Sequence, residues 1–451
     1  MSEPEVTVEE QGAPYPASDF TPSLDHPDPT SYPRLCPDIP ASGGVIRTFW
    51  EDFDVEEIPL YLPSGEGEHC YLTIVKSNRT TLQVRDHLAR SLGIRPDDIG
   101  FAGFKDKRAI ARQTFSIPGV DDRDLLPLET PWMKVVGVDR HTNKLGTGHL
   151  AGNRFKIKIR EVSRDALEPA RAVVSRLKEC GLPNFYGPQR FGIHSTGARI
   201  GAALLRRQVR DAVELLLAPL PGIEEPYREV FASGDCVGAL EILPPGRTAE
   251  AALLHALRKN PGNYRVAARR IPRQLRKMYY SAYQSELFNW CLKERMLWGD
   301  DSFWQPRVGD LAQLHPRKVC FEVQEGESSL SEAFTRAKAG EISPTGPMFG
   351  RKTRLATGKQ GSLERAVLAA EGLRPQSWVS HVKGLSLDGN RRSLRVPIGN
   401  CTVDWLEEEE CLFLSFDLPS GAFATLLLEQ VMGPGRIDAH HGRPRESGPS
   451  S

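Results

Sequence analysis

Paired cysteines are missing from this sequence. Its eight cysteines, at 36, 70, 180, 236, 291, 320, 401 and 411, are scattered without a single Cys-x-x-Cys. Neither a structural zinc site nor a disulfide framework is expected, and the thiols read as small buried hydrophobes. The eleven histidines do not cluster, and their one adjacent pair, His440-His441, stands in a Gly/Pro-rich tail. No run approaches the ~18 apolar residues of a membrane span. The start, Met1-Ser2-Glu3-Pro4, lacks the basic residues and apolar stretch of a signal peptide. A soluble, cytoplasmic protein is expected. Walker, His-Glu-x-x-His and Gly-x-Ser-x-Gly motifs are also absent. Gly146-Thr147-Gly148-His149-Leu150-Ala151-Gly152 imitates a dinucleotide loop, but its spacing is wrong and it precedes a strand instead of following one.

Net charge is lacking too, with 58 Lys+Arg against 58 Asp+Glu in 451 residues. The balance conceals a split. Residues 1–40 hold eight acids, one base and nine prolines, which leaves 57 bases and 50 acids in the body. Thirteen bases against four acids fall in 151–210, and eight bases without an acid in 256–277. Such local basicity suits a polyanion partner; the alternative is a solvated face.

The length predicts two or three domains. The acidic, Pro-rich arm (1–43) and the Gly/Pro/Ser tail (433–451) are expected to be disordered. Between them the pattern is α+β. Val45–Phe49, Phe53–Ile58 and His69–Val75 read as strands, followed by a helix from a Thr80 cap to Leu92, closed by Gly93. Short strands are expected at Ile99–Gly103 and Thr114–Ile117. Strict alternation in Phe155-Lys-Ile-Lys-Ile-Arg160 turns Phe155, Ile157 and Ile159 inward. A helix with Leu167, Ala170, Val173, Val174 and Leu177 on one face should stop at Gly181. Residues 208–376 read as mostly helical, with a basic linker at 258–277. Strands resume only after about 380, where Leu412–Leu418 leads through Pro419-Ser420-Gly421 into a helix from Phe423 to Met432. The expected division is therefore 44–207 and 377–432 as one domain, interrupted by 208–376.

Three clusters carry chemistry. Gly100-Phe101-Ala102-Gly103-Phe104-Lys105-Asp106-Lys107-Arg108-Ala109 sets one carboxylate among cations, which favour its ionised form. That suits a nucleophile or cation stabiliser better than a general acid; an ordinary surface ion-pair cluster is the alternative. Asn184-Phe185-Tyr186-Gly187-Pro188-Gln189-Arg190-Phe191-Gly192 offers amides, a guanidinium and aromatics able to stack on and hydrogen-bond a base, or equally to pin a core loop. Leu418 to Thr425 brings a helix N-terminus beside Phe423, which serves a polar ligand or simply the core.

Together these segments resemble the TruD family of tRNA pseudouridine synthases. The resemblance rests on Gly-x-Lys-Asp at 103–106, Asn-x-x-Gly-x-Gln-Arg-Phe-Gly at 184–192 and Pro-x-Gly-x-Phe-Ala-Thr at 419–425. Glu51-Asp52-Phe53, Gly67-Glu68-His69, Leu150-Ala-Gly-Asn153-Arg-Phe155 and Ser281-Ala-Tyr-Gln284-Ser285-Glu-Leu-Phe288-Asn289 match as well, all in family order. It implies a pseudouridine-synthase-like α+β catalytic domain with an antiparallel sheet, interrupted by a largely helical TRUD insertion. It further implies isomerisation of uridine, at position 13 of tRNA, without metal or organic cofactor. Asp106 is then the catalytic aspartate, and Phe53, Asn184 and Phe423 contact the uridine. Arg47 falls where relatives carry a basic residue near the site. Phe185-Tyr186 inverts the order of many relatives, leaving Tyr186 or Phe185 as the stacking ring. The same chemistry on another RNA, or an RNA-binding or folding protein with dispensable isomerase activity, are the rival readings. No obligate protein partner and no membrane are implied.

Overall fold

The computed structural model describes residues 21–22, 32–121, 128–192, 195–299, 301–315, 317, 319–378, 385 and 387–434. Most of the acidic arm, the tail from residue 435 and His440-His441 lie outside these residues. Contacts divide the chain into two units, one comprising Pro33–Leu182 and the chain from Val396, the other Pro183–Arg395 with Tyr32.

The first unit is built on an eight-stranded sheet. Its strands are β1 (Phe53–Pro59), β2 (His69–Ser77), β3 (Gly100–Phe101), β4 (Ile110–Pro118), β5 (Met133–His141) and β6 (Leu150–Ile159), joined by Gly399–Leu406 and Cys411–Pro419. Laterally the order is Gly399–Leu406, Cys411–Pro419, β6, β1, β4, β2, β5, with β3 paired to β4. Pairing is antiparallel apart from β1 with β4, which run parallel through Asp54 and Ile110. The alternation in β6 turns Phe155, Ile157 and Ile159 into the core. Helix α1 (Thr81–Leu92) begins in a capping box, where Thr80 Oγ1 accepts from Gln83 N and Gln83 Oε1 accepts from Thr80 N. Gly93 ends it at φ 66°. Helix α2 (Leu167–Cys180) buries Ala170, Val173, Val174 and Leu177.

Two expectations fail here for local reasons. Val45–Phe49 is not a strand: Val45 makes one isolated bridge to Arg160, and Arg47 adopts φ 61°, which breaks the extended run. The arm is also shorter than 1–43. Leu35 is buried and its N–H donates to Gln430 Oε1 at 2.6 Å, while Ser42 N donates to Val431 O.

The second unit packs nine helices, among the described residues, with a four-stranded sheet. Its axis is the helix Arg273–Met296, buried almost continuously from Tyr280 to Arg295. The helix Gly197–Leu205 lies against it so closely that a side chain on Gly201 would collide with the Tyr279 carbonyl. This packing moves the boundary from the expected 208 back to 183. The sheet, Asn390–Ser393, Ile342–Met348, Leu311–Leu314 and Val319–Glu322, was not expected. Pro344, Gly346 and Pro347 mask its fully buried strand Ile342–Met348, because these residues weaken a strand signal. Nor is 258–277 a linker, since it contributes to the helices Thr248–Lys259, Tyr264–Ala268 and Arg273–Met296.

An ion pair anchors the start of β1. Asp52 is fully buried and accepts from Arg160 Nε and Nη2 at 2.9 and 2.7 Å, and from Phe49 N at 2.9 Å. Arg160 also reaches Glu409 at 2.7 Å and returns two backbone bonds to Val45. Removing one member of a buried pair strands the other, at about 3–5 kcal/mol. Asp52→Ala is expected to lower the stability of this unit by that order, read as a lower urea midpoint. A loss under about 1 kcal/mol would show that Glu409 alone holds Arg160.

Candidate active site

The loop 102–109 between β3 and β4 is fastened from three sides. Thr81 Oγ1, at the start of α1, accepts from Lys105 N at 2.9 Å and donates to Gln113 Oε1 at 3.0 Å. Gln113 on β4 in turn donates to Gly103 O at 2.6 Å. Lys105 is buried and pairs with Glu57 of β1 at 2.8 Å. The third fastening is Lys76. In β2 the inward register is Cys70, Leu72, Ile74, Lys76, so the ammonium is carried into the interior, where it is 1% exposed. It donates to Asp106 O at 2.7 Å and to the carbonyl of Arg79. Burial pushes the Lys76 ammonium down to about 8, aided by Lys105 and opposed by Asp106.

These fastenings leave the Asp106 side chain half exposed, with Oδ2 receiving Arg47 Nη2 at 2.9 Å. The same guanidinium lies over the Phe53 ring, 4.2 Å from its centroid. Phe53 is 2% exposed and meets Phe155 edge-on at 6.1 Å. Arg47 reaches both partners because its backbone is held in the left-handed region between the Val45–Arg160 bridge and the Phe49–Asp52 bond. Gly44 permits the turn, at φ 84°, since a side chain there would strike Arg160 O and Val162. Arg47, Phe53 and Asp106 are thus in one contact group.

Phe423 belongs to the same unit. It is the half-buried N-cap of the helix Ala424–Met432, preceded by a turn whose Ser420 N donates to Ala151 O at 3.0 Å. Gly103, at the loop's beginning, faces the neighbouring Leu150. Asp106 thus stands with the Arg47–Phe53 pair, while the turn before Phe423 is bonded to Ala151.

Asn184 and Tyr186 belong to the second unit and form a group there. Asn184 is buried; its Nδ2 donates to Ser393 O at 2.7 Å and its Oδ1 accepts from Arg392 Nη2 at 2.5 Å. One N–H and one lone pair of the amide remain beyond these bonds. Phe185 is 1% exposed and lies against Tyr32, whereas Tyr186 is half-buried, so of the two rings Tyr186 is the one with an accessible edge. Arg392 lies over the Tyr186 ring at 4.1 Å and Arg190 at 5.2 Å, and Asn289 holds the Tyr186 backbone through both its amide atoms. Burial works against the charge on Arg392.

Sequence reasoning missed Lys76 and Arg392. Lys76 was legible as a lysine in an apolar register. Arg392 stands 208 residues from Asn184, beyond any local pattern. A folded-state value near 8, below the ordinary 10.5, means the unfolded chain binds more protons between those pH values. Stability linked to Lys76 therefore rises as pH climbs from about 8 towards 10.5. Relative to Lys76→Met, the native chain is expected to gain up to about 3 kcal/mol across that window, measured by denaturant titration at each pH. Parallel curves for the two proteins would remove the linkage from Lys76.

Residues 32–431 match the family model for tRNA pseudouridine synthase D (TruD). A tRNA pseudouridine synthase D of Geobacter sp. (strain M21) is 41% identical over 402 residues, 88% of this chain and 98% of that protein. One from Thermus thermophilus is 36% identical over 418 residues, 92% and 96% of the two chains. Among solved structures, that of the Methanosarcina mazei protein assigned as tRNA pseudouridine synthase D superposes with a TM-score of 0.77 at 25% identity, covering 90% of this chain and 96% of that one. With the order of its motifs and its sheet carrying the Asp106 loop, this chain belongs to the TruD family of tRNA pseudouridine synthases.

Proposed function

We propose that this enzyme converts uridine 13 of tRNA to pseudouridine, with Asp106 as its essential carboxylate. The observation that carries the reading is the accessible Asp106 carboxylate held by a guanidinium that itself lies on an aromatic ring. The reaction breaks the bond from uracil N1 to the ribose anomeric carbon and rebuilds it from C5, which afterwards gives up its proton while N1 takes one up. No atom is gained or lost. A carboxylate beside the anomeric carbon stabilises the positive character that develops there, or bonds to it. Arg47 holds that anion in place. Phe53, under the guanidinium, supports Arg47 as a flat platform on which a base can stack, and Phe423 is assigned the opposite side of the uracil. Asn184 is assigned the uracil edge through its remaining N–H and lone pair, and Tyr186 a supporting contact, both on the strength of the family segment that holds them. The target base must leave its stack to reach the loop.

No helix among the described residues is long and apolar enough to cross a membrane, and we place the enzyme in the cytoplasm with its tRNA. Its RNA-facing charge is selective. Part of the basic stretch 151–210 is spent on ion pairs within the first unit: Arg154 pairs with Asp417, Lys158 with Glu409 and Arg164 with Glu407. In 256–277, Arg265, Arg270 and Lys277 are exposed, and we assign that surface to the tRNA backbone.

Two outcomes test these assignments. Asp106→Asn keeps the shape but removes the anion; release of the C5 hydrogen from labelled tRNA is expected to fall roughly a thousandfold or more while tRNA binding changes little. Substantial turnover would take Asp106 out of its role. Reversing Arg265, Arg270 and Lys277 to Glu together should raise KM, and it should flatten the dependence of log affinity on log salt by about 2–3, at ~0.7–0.9 per phosphate contact. An unchanged slope would make this surface a solvated face.

A further inference from the structure

Beside the catalytic loop lies a pocket of about 270 Å³ lined by Arg79, Gln83, Asp86, His87, Arg90 and Trp132. We propose that it receives a single nucleotide of the tRNA strand flanking the target uridine, the base against Trp132 and the phosphate between Arg79 and Arg90. The proposal rests on the tRNA reading above.

Position is the first argument. Lys76, whose ammonium holds the Asp106 carbonyl, also holds the carbonyl of Arg79. Ser77 N donates to Trp132 O at 3.0 Å, which fixes the tryptophan beside the same turn. Asn78 gives that turn a φ of 49° and accepts from Arg79 Nη1 at 2.9 Å. The pocket and the catalytic carboxylate are therefore mounted on one support, so a strand whose uridine is at Asp106 passes close to Trp132.

Chemistry is the second. The Arg79 guanidinium lies 5.1 Å from the Trp132 ring centroid, and His87 meets the same ring edge-on at 5.0 Å. Asp86 is the one carboxylate in the lining, and Arg85 already engages it at 3.0 and 2.8 Å. What remains uncompensated is positive. An aromatic face with guanidinium groups at its margin is the recognition set for an unstacked nucleotide, because every base has a face to stack and a phosphate beside it. Size is the third. The volume lies just below the roughly 300–1,000 Å³ of ordinary ligand pockets, enough for one base and too little for a bulky cofactor.

The test is a double-mutant cycle between Trp132→Leu and tRNA transcripts carrying one abasic nucleotide at each position flanking the target. For the native enzyme, one flanking abasic position is expected to weaken binding roughly 5- to 100-fold, the range for stacking one base on an aromatic ring. Trp132→Leu should lose a similar factor on intact tRNA and nothing further at that position, while Trp132→Phe restores most of the loss. Because Trp132 also touches the core, circular dichroism accompanies each variant, and Arg79→Ala with Arg90→Ala provides a second probe that leaves the core intact. That pair should raise KM about tenfold or more with little change in kcat, through lost phosphate contacts. Additive effects at every flanking position, or an Arg79/Arg90 variant with native KM, would overturn the assignment. So would adenosine 5′-monophosphate that protects Trp132 from quenching without competing with tRNA, since it would make the pocket a separate nucleotide site. Failure of the underlying reading looks different: the native enzyme would then form no pseudouridine at all.

Discussion

A lysine ammonium sunk into a β-sheet is the constraint on which the catalytic end of this enzyme depends. Lys76 offers three donors on a flexible stem, and two of them are spent on backbone carbonyls from different segments, those of Asp106 and Arg79. The loop 102–109, with one glycine and four successive charged residues, would otherwise sample many conformations, and each ordered residue costs about 1–2 kcal/mol of backbone entropy. Fixing the carbonyl of Asp106 rather than its carboxylate leaves the side chain half exposed, with Oδ2 on Arg47. Desolvation of the ammonium opposes the arrangement, as its lowered proton affinity records. The fold accepts that cost where the loop must be rigid.

Much of this was legible in the sequence, and the failures share a cause. The capping box at Thr80–Gln83, the alternation of β6 and the Gly93 stop are local signals, and local physics decides them. The strand Ile342–Met348 forms against its own prolines and glycine because burial between Leu311–Leu314 and Asn390–Ser393 outweighs propensity. Val45–Phe49 keeps only one bridge, to Arg160 far along the chain, because Arg47 turns into the left-handed region. In the basic stretch 151–210, Arg154, Lys158 and Arg164 meet Asp417, Glu409 and Glu407, acids that come much later in the sequence. Charge patterning counts neighbours in sequence, whereas electrostatics counts neighbours in space.

The site residues divide along the same line. The Lys105-Asp106 segment and Phe53 carry motifs that name them, and the fold joins Phe53 to Asp106 through Arg47. Asn184 was legible as a base contact or a loop pin, but its partners Ser393 and Arg392 lie too far along the chain to be named. Its amide is committed to Ser393 and Arg392, so its orientation is set before any substrate arrives.

Guanidinium on aromatic recurs in this chain, with Arg47 over Phe53, Arg79 over Trp132 and Arg392 over Tyr186. The magnitudes separate these pairs. An exposed cation–π contact is worth about 0.5–1 kcal/mol and a desolvated one ~2 kcal/mol or more. Stacking a base on an aromatic ring gains about 1–3 kcal/mol. Arg47 is mostly shielded, with 15% of its side chain exposed, and it is tied to Asp106 as well. A base gains too little from Phe53 to displace it, and stacking on the guanidinium plane keeps both contacts. Arg79 sits farther from its ring and has no carboxylate partner among the described residues. There the balance reverses: the base takes the indole face, and the displaced guanidinium turns to the phosphate that arrives with it.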